Sequence, residues 1–318
     1  MNLKKLVNWY FSYELTDNLS EYSVDVIAEL IAGCAAKNDF RHYDKPNSSE
    51  TLIVSRNIEE LIKGHDYGFE LRSIHDYLCA EHCTGLKSVI LHGSMVSRDY
   101  IKGWSDLDSW VLLDVQELNH NNVVKLWYTF RDLNAYLRLI DPQSHHAFIF
   151  YLDNELQCYN EVKSLPLNVL REGVCVNGDN VIRFDLSTLN EGGVTGLDRL
   201  ETVFSRFNET SVLKTHQYHG IFLEKNRESH KRSPYHVKYV VAMILNIPVL
   251  YFTAKGLSVY KKKSFDLFYS EFSVGMELIR RCENIRLLWS ENTGEVVSDL
   301  ILEMLGEDYI DEALTILN

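Results

Sequence analysis

The sequence predicts an α+β protein in two parts: a small mixed β-sheet with flanking helices over residues 1–192, then a helical bundle over residues 193–318. Three observations carry that expectation. Short apolar and β-branched runs alternate with amphipathic stretches in the first part. Turn-forming residues crowd at Asn177–Asn180 and Asn190–Gly193, which places the boundary near Gly192. From Leu197 onward the pattern is almost purely helical. With 318 residues, 46% hydrophobic and 24% charged, the chain is long enough for about two domains of ~150 residues and has a globular composition.

The elements follow in order. Val24, Ile27, Ile31 and Ala35 recur at helical spacing over Ser20–Ala36, with Ser20 and Glu21 as a start signal. Lys37–Glu50 is polar and turn-rich, a loop. Ile58–Cys83 resumes a helical pattern that Gly64 or Gly68 can break. Lys87–His92 and Ser109–Val115 are two adjacent strands, and Leu118–Leu139 is a long helix ended by Asp141 and Pro142. His145–Leu152 and Leu156–Tyr159, joined by Asp153, Asn154 and Glu155, predict a hairpin without the glycine that usually marks one. Helices are expected over Leu197–Phe207, Thr210–Asn226, Tyr235–Ala254, Ser264–Phe272, Val274–Leu288 and Gly294–Leu305.

Charge narrows the function classes. Lysine plus arginine (32) against aspartate plus glutamate (45) leaves −13, which disfavours a protein whose main work is gripping a nucleic-acid backbone. Six scattered cysteines (34, 79, 83, 158, 175 and 282) predict reduced thiols and no disulfides. The apolar run in Met1–Phe11 is too short for a secretory signal. The longest apolar stretch, Tyr239–Thr253, is interrupted by Asn246 and Pro248 and falls short of the ~20 residues that span a bilayer. A cytoplasmic protein without a membrane segment is the expectation.

The chemistry concentrates in Leu91-His92-Gly93-Ser94, followed after eleven residues by Asp106-Leu107-Asp108. Gly93 and Ser94 end a buried strand and open a short helical turn. The glycine then lets backbone approach a ligand, while N–H groups and the Ser94 hydroxyl face an anion. Asp106 and Asp108 sit two apart at the start of the next strand, so the period-two alternation points both carboxylates to one face and buries Leu107 on the other. Two adjacent carboxylates at this spacing suit a hard cation such as Mg²⁺, shared with the phosphates of a nucleotide.

At these residues the sequence resembles the nucleotidyltransferase superfamily of DNA polymerase β type, whose signature is a Gly-Ser or Gly-Gly turn followed after about ten residues by Asp-hydrophobic-Asp. The order of a compact catalytic domain and a helical domain looks like the minimal and aminoglycoside-type members. The resemblance covers residues 85–160 by motif and the rest by architecture alone. It implies that Gly93 and Ser94 hold a triphosphate, that Asp106 and Asp108 bind a pair of Mg²⁺ ions, and that Ser105 completes the family's Ser-Asp pattern. The implied activity moves a nucleoside monophosphate, AMP from ATP in the first instance, to a hydroxyl of a small molecule or a protein, with nucleic acid an unlikely acceptor. The family's third carboxylate, on a later strand, has no counterpart within Ser144–Phe150. His146, which shares a strand face with Phe148 and Phe150, is the candidate for that position as base or ligand, a structural histidine being the alternative. Asp141, Asp153 and Glu155 stand at the strand's ends. The missing acid also fits a second class of function, a catalytically weak nucleotide-binding or interaction protein that keeps the fold.

Weaker candidates stand beside bland readings. Arg98, in the turn between the two signature elements, and Lys255, after an apolar helix, are candidate phosphate ligands, a solvated position being the alternative for both. Lys261–Lys263 and Lys225–Arg232 read as solvated helix end and loop. His75, Cys79, His82 and Cys83 share helical spacing without a paired Cys-x-x-Cys, and His216 with His219 reads as surface, so neither group is taken as a metal site. Gly-x-x-x-x-Gly-Lys, Gly-x-Gly-x-x-Gly and Gly-x-Ser-x-Gly are all missing, which removes P-loop kinases, Rossmann dehydrogenases and serine hydrolases.

Overall fold

The computed structural model describes residues 3–12, 20–37, 48–102, 104–140, 148–159, 165, 167–186, 215–216, 221–222, 238, 241–242, 244–254, 259, 261–271 and 276–289. Its architecture is mixed α/β with small sheets. The contacts divide the chain into two compact units, one of Met1–Tyr100 with Ser105–Thr188 and one of Ile101–Trp104 with Leu189–Asn318.

In the first unit, helices α1 (Leu3–Tyr10) and α2 (Glu21–Ala36) precede strand β1 (Ser48–Ile53), and α3 (Ile58–Ile62) and α4 (Gly68–Glu81) lead to β2 (Leu86–His92). The short helix α5 (Gly93–Ser97) separates β2 from β3 (Asp108–Leu113), after which come α6 (His120–Ile140), β4 (Ile149–Leu152), α7 (Leu167–Arg171), β5 (Val174–Gly178) and β6 (Val181–Leu186). Local chemistry sets the ends. Ser20 caps α2 by accepting the Ser23 N–H at 3.3 Å, and Asn57 caps α3 by accepting that of Glu59 at 2.9 Å. The 21 residues of α6 bury Val123, Leu126, Trp127, Phe130, Leu133, Leu137 and Ile140 at helical spacing.

The four-stranded sheet has the order β4-β3-β2-β5; β2 is antiparallel to both neighbours, and β4 is parallel to β3. Alternation along the strands gives the sheet two apolar faces. Val89, Leu91, Val111, Leu113, Phe148 and Phe150 pack under α1, α2, α4 and α6 with Tyr10, Ile31, Ile74 and Phe130. Ile90, Trp110 and Leu112 face the other way, against Leu52, Val54, Ile182 and Phe184 of the antiparallel β1–β6 ribbon and Leu167 and Leu170 of α7. Burial of each such side chain contributes about 1.5–3 kcal/mol. Covered on both faces, β2 and β3 read in sequence as continuous apolar runs rather than as alternation.

The outer edge of β4 is closed by a side chain. Asn8 of α1 donates its amide N–H to the Phe150 carbonyl at 2.9 Å, and its Oδ1 accepts the Phe150 N–H at 2.9 Å. One asparagine thereby pairs both backbone groups of an edge residue, as a neighbouring strand would.

In the second unit, two-residue strands β7 (Thr215–His216) and β8 (Ile221–Phe222) pair antiparallel, and helices α8 (Ile247–Ala254), α9 (Lys261–Glu271) and α10 (Met276–Leu288) follow. Trp104 belongs to this unit; its ring meets Trp289 edge-on at 5.0 Å, and the Lys238 ammonium lies 5.7 Å from its centroid. Among the described residues no helix is long and apolar enough to cross a membrane.

Several expectations are corrected. The segment read as a hairpin holds β4 and then a 3₁₀ helix over Asp153–Cys158, because Asp153 and Glu155 act as helix-start residues: the Glu155 carboxylate accepts the Leu152 N–H at 2.9 Å. β1 occupies part of the expected loop, and β5 and β6 flank the Asn177–Asn180 turn. Thr215 and His216 are extended, not helical. Lys261–Lys263 form the first turn of α9, with Lys262 and Lys263 exposed as expected of a solvated helix end, so the helix starts three residues before the expected Ser264. The helices expected over Leu197–Phe207 and Gly294–Leu305 lie outside the described residues.

Candidate functional site

The two halves of the signature meet at one end of the central strand pair. β2 and β3 run antiparallel in a register that sets His92 opposite Asp108 and Ile90 opposite Trp110. Directly opposed residues share a face, so Asp108 stands over the ribbon side of the sheet, one step beyond Trp110. Leu107 turns the other way into the helix-side core and is 2% exposed, while Asp106 and Asp108 on either side of it are half-buried. Leu107, buried just before β3 begins, separates Asp108 at the strand's first position from Asp106 two residues earlier.

Gly93 follows β2 with φ +75°, in the left-handed region, and the position is closed to a side chain. A Cβ there would lie 2.1 Å from Asp108 Oδ2 and 3.0 Å from its Cγ. The carboxylate therefore rests against the glycine's α-carbon, and the turn and the acidic pair, eleven residues apart in sequence, form one constellation.

The turn itself is tied down from within. Met95 and Val96 are fully buried, the Asp99 N–H donates to the Ser94 carbonyl at 3.0 Å, and the Ser97 hydroxyl donates to the same oxygen at 3.3 Å. Ser94 sits in the first turn of α5, and Ser105 is buried at 4% exposure immediately before Asp106. Arg98 ends the helix in a left-handed conformation, φ +60°, and its guanidinium donates to the Glu60 carbonyl at 3.4 Å. Arg98 thereby fastens the turn to the end of α3.

The register also bears on the third position. Trp110 pairs with Ile149 and Val111 with Phe150, so the Asp108 face of β4 is the Ile149 face, while Phe148 and Phe150 lie in the helix-side core. The face shared with Phe148 and Phe150 is thus not the face of the carboxylates. His146 and Asp141 lie outside the described residues, as does Lys255. Asp153 and Glu155 follow Leu152, which pairs with Leu113 at the far end of β3, five residues from Asp108. At a rise of ~3.3 Å per residue that is about 17 Å away. Both acids have other work: Asp153 bonds Lys87 and the Val115 N–H, and Glu155 bonds Lys4 and the Leu152 N–H.

The donor set suits a hard divalent cation. Mg²⁺ is commonly held by one or two carboxylates with substrate phosphates completing its shell, and Asp106 and Asp108 supply two carboxylates. Among the described residues no cluster of three or more His, Cys, Asp or Glu side chains forms a closed cage. Of the cysteines and histidines on and just after α4, two have other partners: Cys83 Sγ lies 3.2 Å from Thr129 Oγ1, and a ring nitrogen of His75 lies 2.8 Å from the Val176 carbonyl.

One group beside the site carries no motif. His65, between α3 and α4, accepts the Tyr67 N–H on Nδ1 at 3.1 Å, and its ring meets that of Tyr100 edge-on with centroids 5.8 Å apart. The local signal was present in sequence as Gly64-His65 at a helix break, but a histidine packed against an aromatic ring looks in sequence like any other loop histidine. Comparison with family models, with curated proteins and with solved structures gives no match.

Proposed function

We propose that the chain is a metal-dependent nucleotidyltransferase that moves a nucleoside monophosphate, AMP from ATP in the first instance, to a hydroxyl of a small molecule or a protein. The observation that carries this reading is the close packing of the Asp108 carboxylate on the α-carbon of left-handed Gly93. Such a turn sets its backbone N–H groups close beside a carboxylate, the arrangement needed by a phosphate that shares a metal ion with it.

In the proposed reaction the acceptor oxygen bonds to the α-phosphorus, the bond from that phosphorus to the β-phosphate oxygen breaks, and pyrophosphate leaves while the hydroxyl gives up its proton. Asp106 and Asp108 would hold Mg²⁺, which when bound neutralises phosphate charge and stabilises the entering and leaving oxygens. Gly93 leaves the room in which the Asp108 carboxylate packs, and Ser94 offers a hydroxyl to the triphosphate. Ser105, buried behind Asp106, supports the start of β3. Arg98 ties the turn to the Glu60 carbonyl through one N–H, and its contact to phosphate is a part of the proposal that rests on sequence. His146 as proton acceptor and Lys255 as a phosphate ligand remain parts of the proposal that rest on sequence, and a cytoplasmic setting likewise.

A second reading, nucleotide binding without efficient transfer, is favoured by one observation: the described part of β4 carries no carboxylate on its Ile149 face. Pyrophosphate release from each NTP with Mg²⁺ and a panel of hydroxyl acceptors separates the two. Release that disappears in Asp106→Asn supports transfer; nucleotide binding without release supports the second reading; no nucleotide binding at all overturns both.

A further inference from the structure

Helix α4 and strand β5 bring a thiol, an imidazole and an amide together outside the carboxylate pair. The antiparallel ladder of β2 and β5 steps from Asn177 opposite Val89 to Cys175 opposite Ile90, so Val176 is an extra residue in β5. Its side chain is buried in the helix-side core, and its carbonyl oxygen lies 2.8 Å from Nδ1 of His75 on α4. Cys79 follows His75 by four residues, about one helical turn along the same face, and its Sγ lies 3.7 Å from His75 Nδ1 and 3.9 Å from Nε2. From β5, the Asn177 amide donates to the same sulfur at 3.8 Å.

The Val176 bond settles what each ring nitrogen does. A carbonyl oxygen only accepts, so Nδ1 carries the hydrogen of the neutral ring and Nε2 keeps a bare lone pair. That lone pair is within reach of the Cys79 S–H. A thiol beside a base, with the base oriented by a third group, is the arrangement of an activated nucleophile. When Nε2 takes the thiol proton, the imidazolium stays held at Nδ1 by the carbonyl, and the Asn177 N–H faces the thiolate. Exposure then singles this thiol out. Cys79 is exposed, whereas Cys34, Cys83, Cys158 and Cys175 are half-buried and Cys282 is buried. Burial also pushes the thiols of Cys83 and Cys175 above the ordinary cysteine range, which disfavours their thiolates.

We propose that Cys79 is a nucleophilic thiol, with His75 as its base, that forms a mixed disulfide with low-molecular-weight disulfides. In the step, His75 Nε2 takes the thiol proton and Sγ attacks one sulfur of the disulfide. A new S–S bond forms as the old one breaks, and the departing thiolate takes the proton from His75. Cys79 is oxidised to the mixed disulfide, and half of the incoming disulfide leaves reduced, as a thiol. Asp76, exposed and three residues before Cys79 on α4, sets a negative charge on the same side, so a neutral or cationic disulfide is the better partner. The proposal does not rest on the reading of Asp106 and Asp108.

Hydroxyethyl disulfide, small and neutral, is the probe, and the full chain is the test protein. Peptide mapping gives the rate at which each cysteine gains the adduct, in the native chain and in the same chain unfolded in urea, where His75 no longer faces Cys79. We expect Cys79 to react about tenfold faster folded than unfolded, and the other five cysteines to react more slowly folded than unfolded. A Cys79 rate that is equal or lower in the folded chain overturns the proposal without any variant. His75→Gln removes the base and keeps a polar side chain; it should abolish the folded-state excess at Cys79, while Asn177→Ala should lower it about threefold. A His75→Gln chain with a normal melt and a wild-type rate at Cys79 would show that the thiol is merely exposed, which overturns the role of His75. His75→Asn takes its place if His75→Gln fails to fold, and the comparison of folded with unfolded wild type decides if both do.

Discussion

The two ends of β3 carry the same kind of residue and use it in opposite ways. At the far end, Asp114 and Asp153 share Lys87, at 3.0 and 2.5 Å, and each also caps a turn by accepting a backbone N–H, from Gln116 and Val115. Those carboxylates are tied to the fold by their second oxygen and neutralised by a lysine. At the near end, Asp108 is backed by a glycine whose missing side chain is the space the carboxylate occupies. The difference lies in what stands beside each carboxylate: a lysine and backbone N–H groups at the far end, a side-chain-free α-carbon at the near end.

The largest effect should come from the near end. Asp108→Asn, and Asp106→Asn likewise, should lower transfer by roughly a thousandfold, since metal-assisted charge stabilisation contributes several kcal/mol and each ~1.4 kcal/mol is a factor of ten. Neither should shift the unfolding midpoint much, because both side chains are half-exposed. Asp153→Asn is the matched control at the far end, with stability lowered and transfer retained. Pyrophosphate release and thermal melts on the three proteins check this; a normal rate in Asp108→Asn would remove the distinction between the two ends.

Gly93→Val comes next, because it meets both obstacles of the position, the positive φ and the Asp108 oxygen 2.1 Å from a new Cβ. We expect loss of nucleotide binding together with a stability cost of about 2–4 kcal/mol from backbone strain and overpacking. Ser94→Ala removes one hydroxyl from a turn held elsewhere and should weaken nucleotide binding by tenfold or less. Titration of a non-hydrolysable analogue ranks them; equal affinities would mean that the glycine serves only the turn.

Much of the near end was legible before any coordinates because its information is local. Leu107 between two aspartates declares a strand with one buried face, and Gly-Ser after an apolar run declares a turn at its end. The unread parts depend on tertiary partners. In β1, Ser48–Ile53, Leu52 is the only fully buried position, so the run shows no pattern that marks it as a strand until Phe184 and Ile182 of β6 are opposite. Asp153-Asn154-Glu155 is a polar link by composition, and only the Glu155 bond to the Leu152 N–H turns it into the start of a 3₁₀ helix. The face argument for His146 treated β4 alone, whereas its parallel register with β3 decides which side faces the carboxylates.

Lys87→Met sharpens the far end. Burial works against the ammonium, and the hydrogen bonds it donates to Asp153 and Asp114 outweigh it, holding the pKa of Lys87 above its ordinary value. A group with a raised folded pKa contributes stability that is fully present below its unfolded value of ~10.4 and is lost as pH climbs through the higher folded value. With the ammonium about a third exposed, solvent screening keeps this margin modest. Denaturant melts should show the wild type losing this margin in the alkaline range and Lys87→Met lacking it at neutral pH, with nucleotide affinity unchanged. A variant that melts like the wild type would show that the lysine does not neutralise its two neighbours.

The smallest effect should come from Asn8, which lies on neither end but closes the open edge of β4. Asn8→Ala removes a donor and an acceptor from Phe150, yet leaves the hydrophobic contacts of Phe150 with Phe11 and Phe130 in place. Water can reach the partly buried edge groups, so the loss should be about 1 kcal/mol, a few degrees in the melting midpoint. Asn8→Asp is the sharper probe. It keeps the acceptor for the Phe150 N–H but sets a second oxygen against the Phe150 carbonyl, and should therefore destabilise at neutral pH more than Asn8→Ala does. Mn²⁺ affinity should be the same in all three proteins, since the pairing of β3 with β2 that positions Asp108 does not involve this edge. If Asn8→Ala instead weakened Mn²⁺ binding while the melt stayed put, the register of β4 against β3 would belong to the site and not only to the fold, and the contrast between the ends of β3 would have to include the strand beside it.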